Sequence, residues 1–488
     1  MARCFSAIHA RLGNKILGVN SPHQHSPRFS FPPAKSGDSP DLATASSRRD
    51  ARAGKPGTSR LASFFATNSL CEAKPLDCSP TVAGRAVRNA AWPVALVLVI
   101  HRVLVVALNG TPTDDFTTVY SAVRRMLDGQ AVYEQAYNHV DPLYLYNPGA
   151  TALLSPMGLI DDFATARTLF IVCNALAVVL AMAVMTRTVG HKLDGWLWPA
   201  SLAVAFSTES VTNTLAFTNI NGLLLLALSL FLWAFIRGNE EKSTSLRLLA
   251  GVVIGLAIVI KPQFAPLLAL AAVRLDWRAF LGGLGIPVGL NLLAVAFIPA
   301  TDGYMEKLVP YLAITRDYAN SSWAGVHAYF EFGDAFYWTV WLSAAFLVGA
   351  TLLGLIRFSR SDFRLWALST SGVIFVGIFF LSSLGQQYYS MWLFPLMFTA
   401  VFSASIFRSW PAWLAAVLYL APLSWFSNLH PDAGRWMSFF GGTVGWLLLI
   451  VVAAATTAGW WRRSVQQDRA ASAGGTVSSC GAARNDDV

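Results

Sequence analysis

Charge is scarce in this chain, and the scarcity excludes most soluble folds. Asp, Glu, Lys and Arg make up 13 % of 488 residues, about half of what a water-soluble domain carries. Cysteine is sparse too. Cys4, Cys71, Cys78, Cys173 and Cys480 contain no paired C-x-x-C, so neither a disulfide framework nor a zinc site is expected. Cys173 falls within an apolar run and reads as a small filler. His139 is a lone histidine without ligand spacing, and no metal or cofactor is expected. The first ninety residues lack the apolar core of a signal peptide. No stretch at either end has the make-up of a soluble domain.

Apolar residues are what the chain has instead. They form 55 % of it, with a mean hydropathy of +0.48. Runs of about 18 or more mostly apolar residues recur, each enough to cross ~30 Å of hydrocarbon. The expectation is an all-α polytopic membrane protein. Spans are predicted at 91–108, 166–186, 195–207, 221–236, a broken pair 247–260 and 264–274, 279–299, 337–358, 365–382, 391–407, 412–427 and 438–458.

The net charge of +9 is unevenly held. Residues 1–90 carry 13 Lys or Arg against 5 Asp or Glu, and the remainder carries 23 against 22. Nucleic acid is therefore a poor partner for the body of the chain. Residues 1–90, rich in Ser, Pro, Ala and Arg, are expected to be a disordered basic extension. They read either as a tail drawn to anionic lipid or as an over-long start to the gene. Residues 91–464 would form the membrane domain and 465–488 a loose cytoplasmic tail.

Orientation follows from Lys and Arg placement. With the N-terminus inside, the short turns holding Arg187/Lys192, Arg237/Lys242/Arg247, Arg274/Arg278, Arg357/Arg360/Arg364, Arg408 and Arg462/Arg463 are cytoplasmic. This requires 247–274 to be a hairpin, so that Arg247 and Arg274 share a side. The long polar connections, 109–165 and 300–336, then both lie outside.

The first outer connection holds adjacent carboxylates, Asp114 and Asp115. Phe116, Val119, Tyr120, Val123 and Leu127 follow at helical spacing, the stripe of an amphipathic helix along the membrane. The two Asp read as helix caps or as a general base, a carboxylate near lipid whose raised pKa suits it to take a hydroxyl proton. Tyr144, Tyr146 and Asn147 are interface anchors or a platform for sugar rings. Thr218, Asn219 and Asn221 are helix-end residues bonding between helices, or they recognise hydroxyls at a cavity rim. Lys261, followed by Pro262, interrupts an apolar stretch. It is a snorkelling side chain at a hairpin tip or the cation for a lipid-linked phosphate. Arg316 would hold a phosphate or merely pair with Asp317. Asn320 and His327 sit in the second outer connection. Gln387, Tyr388 and Tyr389 open a late span as hydroxyl binders or as an interface belt.

Taken in order, these segments resemble glycosyltransferase family 87. They are Asp115-Phe116 with Tyr120, Gly129-Gln130 with Tyr133, Tyr146-Asn147-Pro148-Gly149, Asn219-Ile220-Asn221-Gly222, Lys261-Pro262-Gln263, and Asn320-Ser321-Ser322 with Gly325. Within the family, Asp141-Pro142, Thr212-Asn213 and Thr315-Arg316-Asp317-Tyr318 bring the chain nearest to arabinofuranosyltransferases of arabinan branching. The resemblance implies a GT-C-type bundle of about 11–12 spanning or re-entrant helices. It implies a decaprenyl-phosphate-arabinose lipid donor, an arabinan or other cell-wall glycan acceptor, membrane lipid as surroundings, and Asp115 as base with Asp114 beside it. Relatives with a mannosyl donor carry a late-span His where this chain reads Gln386-Gln387-Tyr388-Tyr389. That departure disfavours mannose. The alternative class is a transporter or flippase of lipid-linked sugars, although no inverted repeat is evident.

Overall fold

The computed structural model describes residue 70 and residues 81–110, 114–137 and 143–472, and all structural statements concern these. Every regular element among them is helical. In chain order they are α1 Val82–Ile100, α2 Asp114–Leu127, α3 Pro148–Leu154, α4 Phe163–Thr188, α5 Leu197–Ser207, α6 Glu209–Ala216, α7 Asn221–Glu240, α8 Thr244–Ile260, α9 Leu268–Val273, α10 Trp277–Phe297, α11 Val309–Leu312, α12 Trp323–Phe330, α13 Asp334–Ile356, α14 Phe363–Leu381, α15 Phe394–Phe398, α16 Trp410–Leu420 and α17 Pro431–Ser472.

Seven of these helices are long and apolar enough to cross a membrane: α1 with its wider continuation His101–Ala107, α4, α7, α10, α13, α14 and α17. Four apolar stretches are shorter, namely α5, α8, Pro262–Val273 and α16. The all-α polytopic expectation holds. The centre is α14, 83 % of whose apolar window is buried, against 17 % in α1 and α10. Those two helices turn Leu, Val and Phe outward, as suits lipid contact.

Local signals set the helix ends. Thr81, Asn147, Asp162, Thr208, Ser243, Asp276 and Ser322 each accept a backbone N–H from the first turn that follows. Lys261 ends α8 in extended geometry because Pro262 follows it. The chain then returns through Pro262–Leu267 and α9, which makes 247–274 a hairpin. Arg247 Nε lies 3.7 Å from Asp276, two residues beyond Arg274.

Several boundaries differ from expectation, among them that of α17, which runs on to Ser472 inside the segment expected to be a loose tail. The first helix starts at Val82, inside the segment assigned to the extension, because Thr81 caps it there. The stretch predicted as a span at 391–407 is no continuous helix. It consists of a tight turn Gln387–Leu393, α15, a turn Thr399–Val401 and another at Ile406–Arg408. Pro395 supplies no N–H, and Thr399 and Ser405 bond each other at 2.6 Å. The last short span ends at Leu420, two residues before Pro422.

α8 and α10 approach closely through glycines. A Cβ on Gly251 would lie 3.0 Å from the carbonyl oxygens of Arg278 and Ala279, and one on Gly255 would lie 2.9 Å from Ile286. Gly251→Val should therefore lower the melting temperature of the solubilised protein, by the ~1–3 kcal/mol typical of overpacking. Gly349→Val, where nothing lies within 4 Å, should leave it unchanged. Equal effects in the two variants would show that this contact does not hold the helices together.

Candidate active site

The site lies where α2, the entry to α7, the end of α8 and the turn at 387–393 meet. α2 forms where its spacing predicts, with Phe116, Val119, Tyr120 and Val123 buried but the last residue of the stripe, Leu127, exposed. That face packs on protein. Phe116 meets Phe163 and Phe170 at 5.4 Å between ring centres, and the Tyr120 hydroxyl donates to Ile160 O at 2.6 Å. Asp115, in the first turn, faces a small crevice that Thr218, Asn219 and Tyr146 also line.

Two amides organise the charges. Asn219 Nδ2 donates to Asp115 Oδ2 at 2.9 Å. Asn219 Oδ1 accepts from the Asn221 backbone N–H at 3.1 Å. Asn221 Oδ1 in turn accepts from Lys261 Nζ at 2.9 Å. Carboxylate and ammonium are thus joined through two side chains a residue apart. The turn that makes this possible is strained, since Thr218 sits at φ 47°, where β-branched residues are rare. Its buried Oγ1 has no hydrogen-bond partner among the described residues.

Lys261 does not snorkel outward. Its Nζ lies 4.2 Å from the ring centre of Tyr389 and 5.1 Å from that of Trp392. These rings stack on each other at 4.9 Å. Cation–π contacts contribute ~0.5–2 kcal/mol, and a charged hydrogen bond ~1.5–3. Desolvating an ammonium costs several kcal/mol. Asp115 is close enough for its charge to act on Lys261 and offset part of that cost. Arg316 belongs to the same neighbourhood. Its Nη1 donates to the Tyr318 hydroxyl at 3.4 Å, and its charge acts on Tyr388 and Tyr389. The alternative of pairing with Asp317 finds no counterpart among the described ion pairs.

The tyrosines before α3 form a cluster. Tyr144 is 0 % exposed and shares a 2.6 Å hydrogen bond with Thr151, so it backs Tyr146, 5.7 Å away between ring centres. Burial pushes the Tyr144 phenol well up and that of Tyr137 up to about 12. Burial, then the Asp115 charge, raises Tyr146 as well. These phenols stay protonated and leave Asp115 as the basic group at the crevice.

The other predicted residues have partners of their own. Both ends of the Asn147 amide are used, for Ala150 N at 2.9 Å and Val259 O at 2.6 Å. Asn320 makes four hydrogen bonds, to Arg316 O, Ser383 O, Ser322 N and Gly385 N. It pins the second long connection to the turn before 387. His327 packs between Phe332 and Tyr337, with Nε2 3.5 Å from Asp334, in a separate cluster. Gln387 Nε2 donates to Glu209 at 3.3 Å. Tyr388 donates to Gln386. The Asp114 side chain, His139, Asp141 and Pro142 lie outside the described residues. Among those described, no group of His, Cys, Asp and Glu is placed to hold a metal. The sequence reading named Thr218 and Tyr389 as hydroxyl-binding candidates but not Tyr389 as part of a lysine cage, and it missed Trp392. The only signal for Trp392 was its spacing of three from Tyr389 in a turn-rich segment.

A helical membrane bundle with a carboxylate and a caged ammonium at one polar end fits a transferase that works beside lipid. Comparison with known proteins narrows the class. The model of glycosyltransferase family 87 matches residues 144–383, a range that takes in Asn219, Asn221, Lys261 and Arg316. An α-(1→3)-arabinofuranosyltransferase of Corynebacterium glutamicum is 48 % identical over 356 residues, 73 % of this chain and 84 % of that one. The Mycolicibacterium smegmatis protein of the same name is 39 % identical, over 78 % and 88 %. That of Mycobacterium tuberculosis is 37 % identical, over 80 % and 87 %. Among solved structures, the archaeal oligosaccharyltransferase AglB from Archaeoglobus fulgidus aligns at a TM-score of 0.39 and 14 % identity, over 76 % of this chain and 56 % of that one; at that score the likeness decides nothing. The chain belongs to glycosyltransferase family 87, alongside the α-(1→3)-arabinofuranosyltransferases.

Asn320→Ala should lower the melting temperature more than Asn219→Ala, since it strands buried backbone groups at ~1–3 kcal/mol each. Turnover should suffer more from Asn219→Ala once both are compared below their melting points. The reverse ranking would remove Asn219 from the site.

Proposed function

We propose that this chain transfers an arabinofuranosyl unit from a polyprenyl-phosphate donor to a cell-wall arabinan, forming an α-(1→3) branch at the extracytoplasmic face. The observation that carries the reading is the Asp115–Asn219–Asn221–Lys261 chain. It sets a base and a cation side by side at the polar end of the bundle. Relatives named for the same transfer support the choice of sugar. The Lys and Arg bias of the turns at the opposite end supports the orientation.

The reaction is an inverting displacement. Asp115 takes the proton of the acceptor hydroxyl as its oxygen attacks the anomeric carbon. The bond from that carbon to the phosphate oxygen breaks through an oxocarbenium-like transition state, and polyprenyl phosphate leaves as an anion. Lys261 and Arg316 neutralise that anion, so no general acid is needed. The prenyl tail stays in the bilayer. Tyr146, Thr218 and Asn219 offer hydroxyl and amide partners to the sugars.

Asp115→Asn should cut transfer from a polyprenyl-phosphate donor by ~10²–10⁴-fold with the melting temperature preserved. Lys261→Met should raise the donor KM more than the acceptor KM. Near-normal turnover of the first variant would remove Asp115 as base. An acceptor-only effect of the second would remove Lys261 from the phosphate.

A further inference from the structure

A cluster of arginines lies at the end of α8 away from Lys261. Lys261 and Arg247 stand at opposite ends of α8, fourteen residues apart, a rise of about 21 Å. Three turns meet at the Arg247 end. Asn239 Nδ2 donates to Asp276 Oδ2 at 3.1 Å, Arg364 pairs with Glu240, and Arg274 Nη1 donates to Ser359 O at 3.2 Å. These contacts draw Arg247, Arg274 and Arg360 together so closely that the charges of the other two act on Arg274.

Several arginines gather here, and Arg247 Nε also donates to Gly238 O at 3.1 Å. Asp276 is buried and already serves Asn239, the Ala279 backbone N–H and, at 3.7 Å, Arg247. Arg274 lies over the Phe363 ring at 4.8 Å, and its Nε has no partner among the described residues. Arg360 is exposed. Beside the cluster the surface turns apolar. Leu275 is 86 % exposed at φ 54°, and Trp277 is exposed with the Arg278 guanidinium 4.7 Å over its ring. An arginine group with leucine and tryptophan at its edge matches an anionic head above acyl chains.

We propose that Arg247, Arg274 and Arg360 bind the phosphate of an anionic phospholipid at the membrane surface opposite the crevice, with Leu275 and Trp277 in its acyl region. The site is independent of the transfer reaction.

The test uses the full chain in detergent, titrated with phosphatidylglycerol, phosphatidylcholine or inorganic phosphate, with native mass spectrometry and thermal melting as readouts. Phosphatidylglycerol should bind and raise the melting temperature in a salt-sensitive way. Arg274→Gln with Arg360→Gln should weaken that binding by about 30-fold, two charges near a lipid surface being removed. The Lys versions of both should retain most of it, which separates charge loss from misfolding. Equal stabilisation by phosphatidylcholine, equal stabilisation by inorganic phosphate, or unchanged binding in the Gln variant would each overturn the proposal. Transfer measured without anionic lipid should be the same in wild type and the Lys variants.

Discussion

The candidate site depends on keeping an ammonium and a carboxylate near each other without letting them collapse into an ion pair. Asn219 and Asn221 do this. Each lends one end of its amide to a charge, and the bond from the Asn221 backbone N–H to Asn219 Oδ1 fixes the spacing. A direct salt bridge would tie up both groups and gain little in return for their desolvation. Held apart by neutral dipoles, each keeps capacity for a substrate group. The left-handed turn at Thr218 and the absence of a Cβ at Gly222, where one would lie 2.7 Å from Asn174 O, set the path of this bridge.

The rest of the fold serves that spacing. α7 is buried deep in the bundle and begins with Asn221. α8 ends at Lys261 because proline follows, and the aromatic pair of the 387–393 turn receives the ammonium. α2 is fixed by its own buried stripe and by Tyr120, so Asp115 stands on a rigid support. None of these supports touches a reacting atom. Precise placement of a few charges requires each of them.

Apolar length and proline made the helices legible in the sequence, and the cost of a charge at membrane depth made Lys261 legible. The α2 stripe from Phe116 to Val123 could be read because burial on one face leaves a period. The break at 387–408 could not, since hydropathy scores apolar residues alike whether the backbone is continuous or turning. Asn147, Asn219 and Asn320 looked alike as polar residues near helix ends. Their different tasks are decided by partners such as Val259, Asp115 and Ser383, up to 112 positions away. The aromatic cage was invisible for the same reason: nothing in Tyr389 or Trp392 announces a lysine 128 residues before the tyrosine.

The interrupted segment from Gln387 to Arg408 has a consequence for how the protein is made. Its turns leave amide groups that a helix would have satisfied within itself, and hydrocarbon offers them nothing. Such a stretch gains little by entering lipid alone, apolar though it is. It becomes stable only among neighbours: α14, buried along nearly its whole length, α6 through Glu209 and Thr214, and α17 through Trp446. Assembly therefore has an order: the outer helices can partition singly, while the part that carries Tyr389 and Trp392 must wait for neighbours to form its shelter.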